Sequence, residues 1–100
     1  MILPSQYIEK GWVKRQDRKR NKKGEITHVC TYEAIYLARV QSEKFNLLWA
    51  KYINNLIQHI EPFSKRSKTE TISEWNDSFF RRKSQVIKAL KYVENKMGLS

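Results

Sequence analysis

The apolar residues between Ser42 and Ile60 fall at Phe45, Leu48, Trp49, Tyr52, Ile53, Leu56, Ile57 and Ile60, so steps of three and one alternate along the segment. That is the stripe of an amphipathic helix, with Lys44, Lys51, Asn54, Asn55 and Gln58 on the opposite side. Ser42 suits the N-cap and Pro62 ends the run, which predicts a central helix roughly 27 Å long. A stripe this wide needs at least two neighbours to cover it.

The flanking patterns supply them. Pro4 to Lys10 predicts a short helix with Ile8 inward and Gly11 closing it in the left-handed conformation. Thr31 caps a predicted helix from Tyr32 to about Gln41, with Ile35, Ala38 and Leu37 as contacts and small Ala34 permitting close approach. Ser42 then either turns the chain or sits in a bend between nearly continuous helices. Glu61 to Thr69 reads as a polar connection. Thr71-Ile72-Ser73-Glu74 has the form of a capping box opening a one-turn helix that carries Ile72 and Trp75 inward, and Asn76-Asp77-Ser78 breaks it. A last helix, Phe80 to Met97, puts Val86, Leu90, Val93 and Met97 on one stripe, widened by Ile87, and Gly98 ends it. The expected core is Trp12, Ile35, Leu48, Trp49, Tyr52, Ile53, Leu56, Ile57, Trp75, Val86, Leu90 and Val93.

Trp12 to Glu25 breaks the helical pattern. Seven cations, Lys14, Arg15, Arg18, Lys19, Arg20, Lys22 and Lys23, surround one acid, Asp17. Asn21-Lys22-Lys23-Gly24 reads as a turn with Gly24 at positive φ. Trp12-Val13 and Ile26 to Val29 can pair as short strands leaning on the helices, and a mobile loop is the other option. The fold class expected is therefore all-α: a small helical bundle of three longer helices plus short ones, with a basic N-terminal β-hairpin or loop. One hundred residues form a single domain, 1–100.

Composition adds a statement about partners. With 20 basic and 10 acidic residues the net charge is +10, which favours polyanions: nucleic acid, an acidic protein face or an anionic membrane surface. Lone Cys30 excludes an intrachain disulfide and suggests a reducing cytoplasm. The start, Met-Ile-Leu-Pro-Ser, does not read as a signal peptide, so none is expected, and no apolar run reaches transmembrane length.

Candidate chemistry is sparse. His28 and Cys30, two positions apart, lack an orienting third group for nucleophilic catalysis. With His59 they lack the paired spacing of a zinc site, so neither catalytic residues, nor a metal, nor a cofactor is expected. Three glycines form no phosphate loop. Tyr32, Tyr36, Tyr52 and Trp49 have helical spacing, which favours core packing over base stacking. Trp75-Asn76-Asp77 reads as a turn held by side-chain-to-backbone hydrogen bonds.

The basic segment is the strongest functional signal. Lys14, Arg15, Arg18, Lys19, Arg20, Lys22 and Lys23, with Arg81, Arg82 and Lys83 from the last helix, are the candidate nucleic-acid-binding residues of a non-catalytic protein. Lys65, Arg66 and Lys68 can extend that surface. The alternative is a protein-interaction module, of the kind phages and mobile elements carry as effectors or inhibitors, docking on an acidic protein. A solvated basic loop with no partner is the bland reading.

Three patterns, Ile8-x-x-Gly11-Trp12, Cys30-x-x-x-Ala34-Ile35-x-x-Ala38, and Trp75-Asn76-Asp77 followed by Arg81 and Val86, occur in this order. The chain thereby resembles a family of small bacterial and phage-borne helical proteins of unknown function over roughly residues 5–97. Such relatives tend to have Gly where Glu33 stands and a less basic segment after the Gly-Trp pair. The resemblance implies an architecture and no activity.

Overall fold

A computed structural model describes residues 1–99. Among them lie five helices and one two-stranded antiparallel hairpin. The order is α1 (Pro4–Lys10), β1 (Arg18–Arg20), β2 (Ile26–Val29), α2 (Thr31–Gln41), α3 (Glu43–Ile60), α4 (Lys68–Asp77) and α5 (Lys83–Lys96). The mostly helical bundle with a basic hairpin is thus what forms, and the mobile-loop option falls away.

Helix α3 is the axis of the body. Ser42, extended at φ −144° and ψ 118°, is the single residue between α2 and α3, and its hydroxyl accepts from the Phe45 N–H at 3.2 Å. One extended residue resets the helix direction, so α2 packs back against α3. α5 covers another side of α3, α1 bridges α2 and α5, and α4 closes over α2 and α3. The core centres on Phe45, Tyr52, Ile53 and Leu56 of α3, with Ile8, Ala34, Ile35, Ala38, Ile72, Trp75, Val86, Ala89, Leu90 and Val93. Trp12, Leu48, Trp49 and Ile57, expected in the core, are only half-buried. Trp49 lies at the rim, where the Arg39 guanidinium covers its ring at 4.1 Å. The stripe of α3 is wider than its neighbours can close over.

Several local expectations are corrected. Gly11 is extended (φ 172°), not left-handed. A Cβ there would stand 2.1 Å from the Thr27 carbonyl oxygen, so glycine answers a close backbone approach. Cys30, not Thr31, caps α2, its Sγ accepting from the Glu33 N–H at 3.3 Å. Thr71 does not open a helix. Ser67 does, taking the Glu70 N–H at 3.2 Å and donating to the Glu70 carboxylate at 2.9 Å, so α4 runs ten residues. α5 begins at Lys83, later than Phe80, and ends as expected at Gly98 (φ +71°). There Gly98 N–H bonds Asn95 C=O at 3.1 Å and Leu99 N–H bonds Glu94 C=O at 2.8 Å, a Schellman closure.

Candidate nucleic-acid interface

The hairpin is made of the basic residues themselves. β1 pairs Arg18 with Val29, Lys19 with His28 and Arg20 with Ile26, leaving Thr27 as an extra residue in β2 at a bulge. Trp12, expected in the partner strand, makes only an isolated parallel bridge to Val29. The turn is as its residues predict. Gly24 N–H bonds Asn21 C=O at 3.0 Å and Asn21 N–H bonds Glu25 C=O at 2.9 Å, with Gly24 at φ +82°. The Asn21 side chain accepts from the N–H groups of Lys23 and Glu25 at 2.9 and 3.0 Å, which stiffens the tip.

Asn76 fastens the root of this hairpin to the bundle. It is fully buried at the end of α4. Its Oδ1 accepts from Trp12 Nε1 at 2.7 Å, from Thr31 N–H at 2.9 Å and from the Thr31 hydroxyl at 2.6 Å. Its Nδ2 donates to Val13 C=O at 3.1 Å and to the Asp77 carboxylate at 3.0 Å. The carboxylate of Asp77 also accepts the Arg15 N–H at 2.8 Å, holding Arg15 at φ +63°. The Trp-Asn-Asp segment is therefore structural, as expected, but it ties distant chain segments together instead of holding a local turn.

The candidate cations do not share one fate. Arg15, Lys19, Lys22 and Lys23 are exposed and in no ion pair among the described residues. Arg20 is exposed too, its guanidinium crossing to Gly24 C=O at 2.6 Å and keeping its charge at the tip. Arg18 is the exception within the hairpin, because it pairs with the buried Glu33 carboxylate at 2.9 Å. Glu33 thus holds one cation of the dense basic segment.

Lys14 brings the two sequence clusters together. Its ammonium donates to the carbonyls of Ser78 and Phe79 at 2.9 and 3.1 Å, so the hairpin root abuts the loop before α5. Arg81 in that loop lies over the Trp75 ring at 4.3 Å while its Nε donates to Trp75 C=O at 2.8 Å. Burial lowers the Arg81 pKa from its ordinary value, with nearby Glu61 opposing the shift, and a guanidinium of this kind stays charged. Arg82 stands exposed as the N-cap residue of α5. Lys83 is drawn away, its ammonium donating to Glu9 C=O at the end of α1 at 2.9 Å. Lys65, Arg66 and Lys68 lie in the exposed connection and the first residue of α4, where Arg66 pairs with Glu74.

Reading residues in isolation misses one feature of this surface. Phe80, expected at the start of the last helix, and Phe79 before it lie outside that helix and are 81% and 77% exposed. Phe79 sits seven residues before Val86, so it shares the stripe on paper. α5 begins only at Lys83, so neither ring belongs to its buried face.

The lone thiol serves as a helix cap. Burial pushes the Cys30 pKa up, against the pull of the Glu33 N–H, so Cys30 is an un-ionised capping group. His28 Nδ1 lies 2.9 Å from the Thr27 hydroxyl, and His59 stacks on Tyr92 with centroids 4.0 Å apart. Among the described residues no three His, Cys, Asp or Glu side chains are grouped to hold a metal ion. No helix of the described residues is long and apolar enough to cross a membrane.

No curated protein and no solved structure matches the chain. The profile of one family covers residues 5–96. The chain belongs to that family, DUF6197, a family of unknown function.

Proposed function

We propose that this protein binds nucleic acid without catalysing a reaction, through the hairpin of residues 14–24 and the adjoining loop at 81–82. The observation that carries this reading is the exposed set Lys19, Arg20, Lys22 and Lys23 on one stiff ribbon with Arg15 at its root, none of them in an ion pair among the described residues. A solvated loop needs no such build. Here the asparagine-stiffened turn, the Asn76 tether and the Lys14 contact hold the charges in place before a ligand arrives, which lowers the ordering cost of binding. Phosphates neutralised by these side chains release counterions, so affinity falls with salt.

The test is affinity for generic DNA and RNA measured against salt concentration. Five phosphate contacts correspond to a log–log slope of about −4.5 on duplex DNA and about −3.5 on single strands. Replacing Arg15, Lys19, Arg20, Lys22 and Lys23 by Ala removes most of that slope while leaving Arg18 on Glu33, so the fold is spared. A flat slope for the unmodified protein, or an unchanged one for the variant, rules the reading out. Recovery of a single acidic protein that survives nuclease treatment, with no strand bound, assigns the surface to a protein partner instead.

A further inference from the structure

Two phenylalanines occupy the corners of a turn whose every other feature holds them in solvent. Arg81 N–H bonds Ser78 C=O at 2.9 Å, so Ser78 to Arg81 form a turn with Phe79 and Phe80 at its two central positions. Such corners ordinarily carry Gly, Pro, Asn, Asp or Ser. The turn is clamped from both sides, by Lys14 on its first two carbonyls and by Arg81 on Trp75 and the Trp75 carbonyl. The rings meet edge to face, with centroids 4.8 Å apart and planes at 88°, and both remain largely exposed. A loop free to fold back would cover them, since burying an aromatic side chain is favourable. This one cannot, because its carbonyls and its arginine are already committed.

We infer that Phe79 and Phe80 are a stacking platform for unpaired bases, and that the nucleic acid bound is single-stranded. This rests on the nucleic-acid reading above and narrows it. The rings stand between the hairpin root at Lys14 and the cations Arg81 and Arg82, so a strand whose phosphates track the cations brings its bases to the rings. Base-on-aromatic stacking needs an exposed π-face and no base-specific hydrogen bond, and in a duplex those faces are already covered. The turn itself, Ser-Phe-Phe-Arg, runs into Arg82 and Lys83 and contains no aliphatic side chain. Those cations stand directly beside the rings, where the phosphates of a strand stacked on them can be met.

The experiment compares a twelve-nucleotide oligouridine, an abasic strand of equal length, a duplex and heparin as probes. Phe79→Ala/Phe80→Ala weakens oligouridine binding on the order of 10-fold or more, and leaves the abasic strand, duplex and heparin unaffected. Phe79→Leu/Phe80→Leu, which keeps apolar area and loses the rings, behaves like the alanine pair. Equal affinity of the unmodified protein for oligouridine and the abasic strand overturns the inference while the salt-dependent reading stands. So does full binding by the leucine pair. Failure to bind any of the four probes removes both.

Discussion

The carboxamide of Asn76 makes five hydrogen bonds, and four of the five partner groups belong to residues 45 to 64 positions away. Three of the five bonds are buried, so the groups left behind there carry their full desolvation cost. Asn76→Ala is expected to destabilise the protein by about 3 kcal/mol or more, read as a lower denaturation midpoint with unchanged slope. Asn76→Asp keeps the acceptor but loses both donations and sets a second carboxylate beside Asp77, so it does not rescue. Gly11 is the other residue whose identity is set by a neighbour. Gly11→Ala drives a methyl group into the Thr27 carbonyl, and loss of the contact between α1 and the hairpin is expected in amide exchange at Val29. In neither case does the residue type announce its role. Asparagine suits a turn and glycine suits a helix end, and those local readings were the available ones.

At the scale of elements, three helices share one buried carboxylate. Glu94 of α5 accepts from the Ser5 N–H at 3.0 Å, the Ser5 hydroxyl and the Tyr52 hydroxyl at 2.7 Å, joining α1, α3 and α5. Burial first, then the charge of Glu94 and its hydrogen bond, raise the Tyr52 pKa well above its ordinary 10. The folded state therefore keeps a proton that the unfolded chain releases, so stability is unaffected below about pH 10 and falls as pH rises beyond it. The difference in stability between the unmodified protein and Tyr52→Phe is expected to shrink above that pH. Near neutrality Tyr52→Phe costs about 1–3 kcal/mol, since Glu94 loses a partner. A difference that stays constant to pH 12 contradicts this arrangement. The stripe on α5 shows Leu90 and Val93, and Glu94 beside them reads as an edge residue. Its burial follows from the docking of α1, which no periodicity within α5 encodes. The start of α4 shows the same limit. Ser67-x-x-Glu70 and Thr71-x-x-Glu74 both have the form of a capping box, and packing of Thr71, Ile72, Trp75 and Asn76 inward selects the first.

For the molecule as a whole, charge sets two responses of opposite sign. A net charge of +10 on a chain with a radius of gyration of 12.8 Å is self-repelling, and salt screens it over about 10 Å at 0.1 M. The melting temperature of the free protein is thus expected to rise between about 20 and 300 mM NaCl while its affinity for nucleic acid falls. A melting temperature that falls with salt shows instead that the ion pairs Arg18–Glu33, Arg66–Glu74 and Lys91–Glu9 outweigh the repulsion. What the sequence by itself determined is whatever depends on neighbours a few positions apart. The amphipathic stripe of α3, the Ser42 cap, the Asn21–Gly24 turn and the Gly98 closure are of this kind, because backbone geometry and short-range hydrogen bonds act within a turn or two. Tertiary structure alone decided what needs distant segments to meet. It set which cations stay free and which are held by Glu33 or by backbone carbonyls, and it exposed Phe79 and Phe80 on a clamped turn. Burial and long-range hydrogen bonding are properties of the packed chain, and no spacing along it contains them.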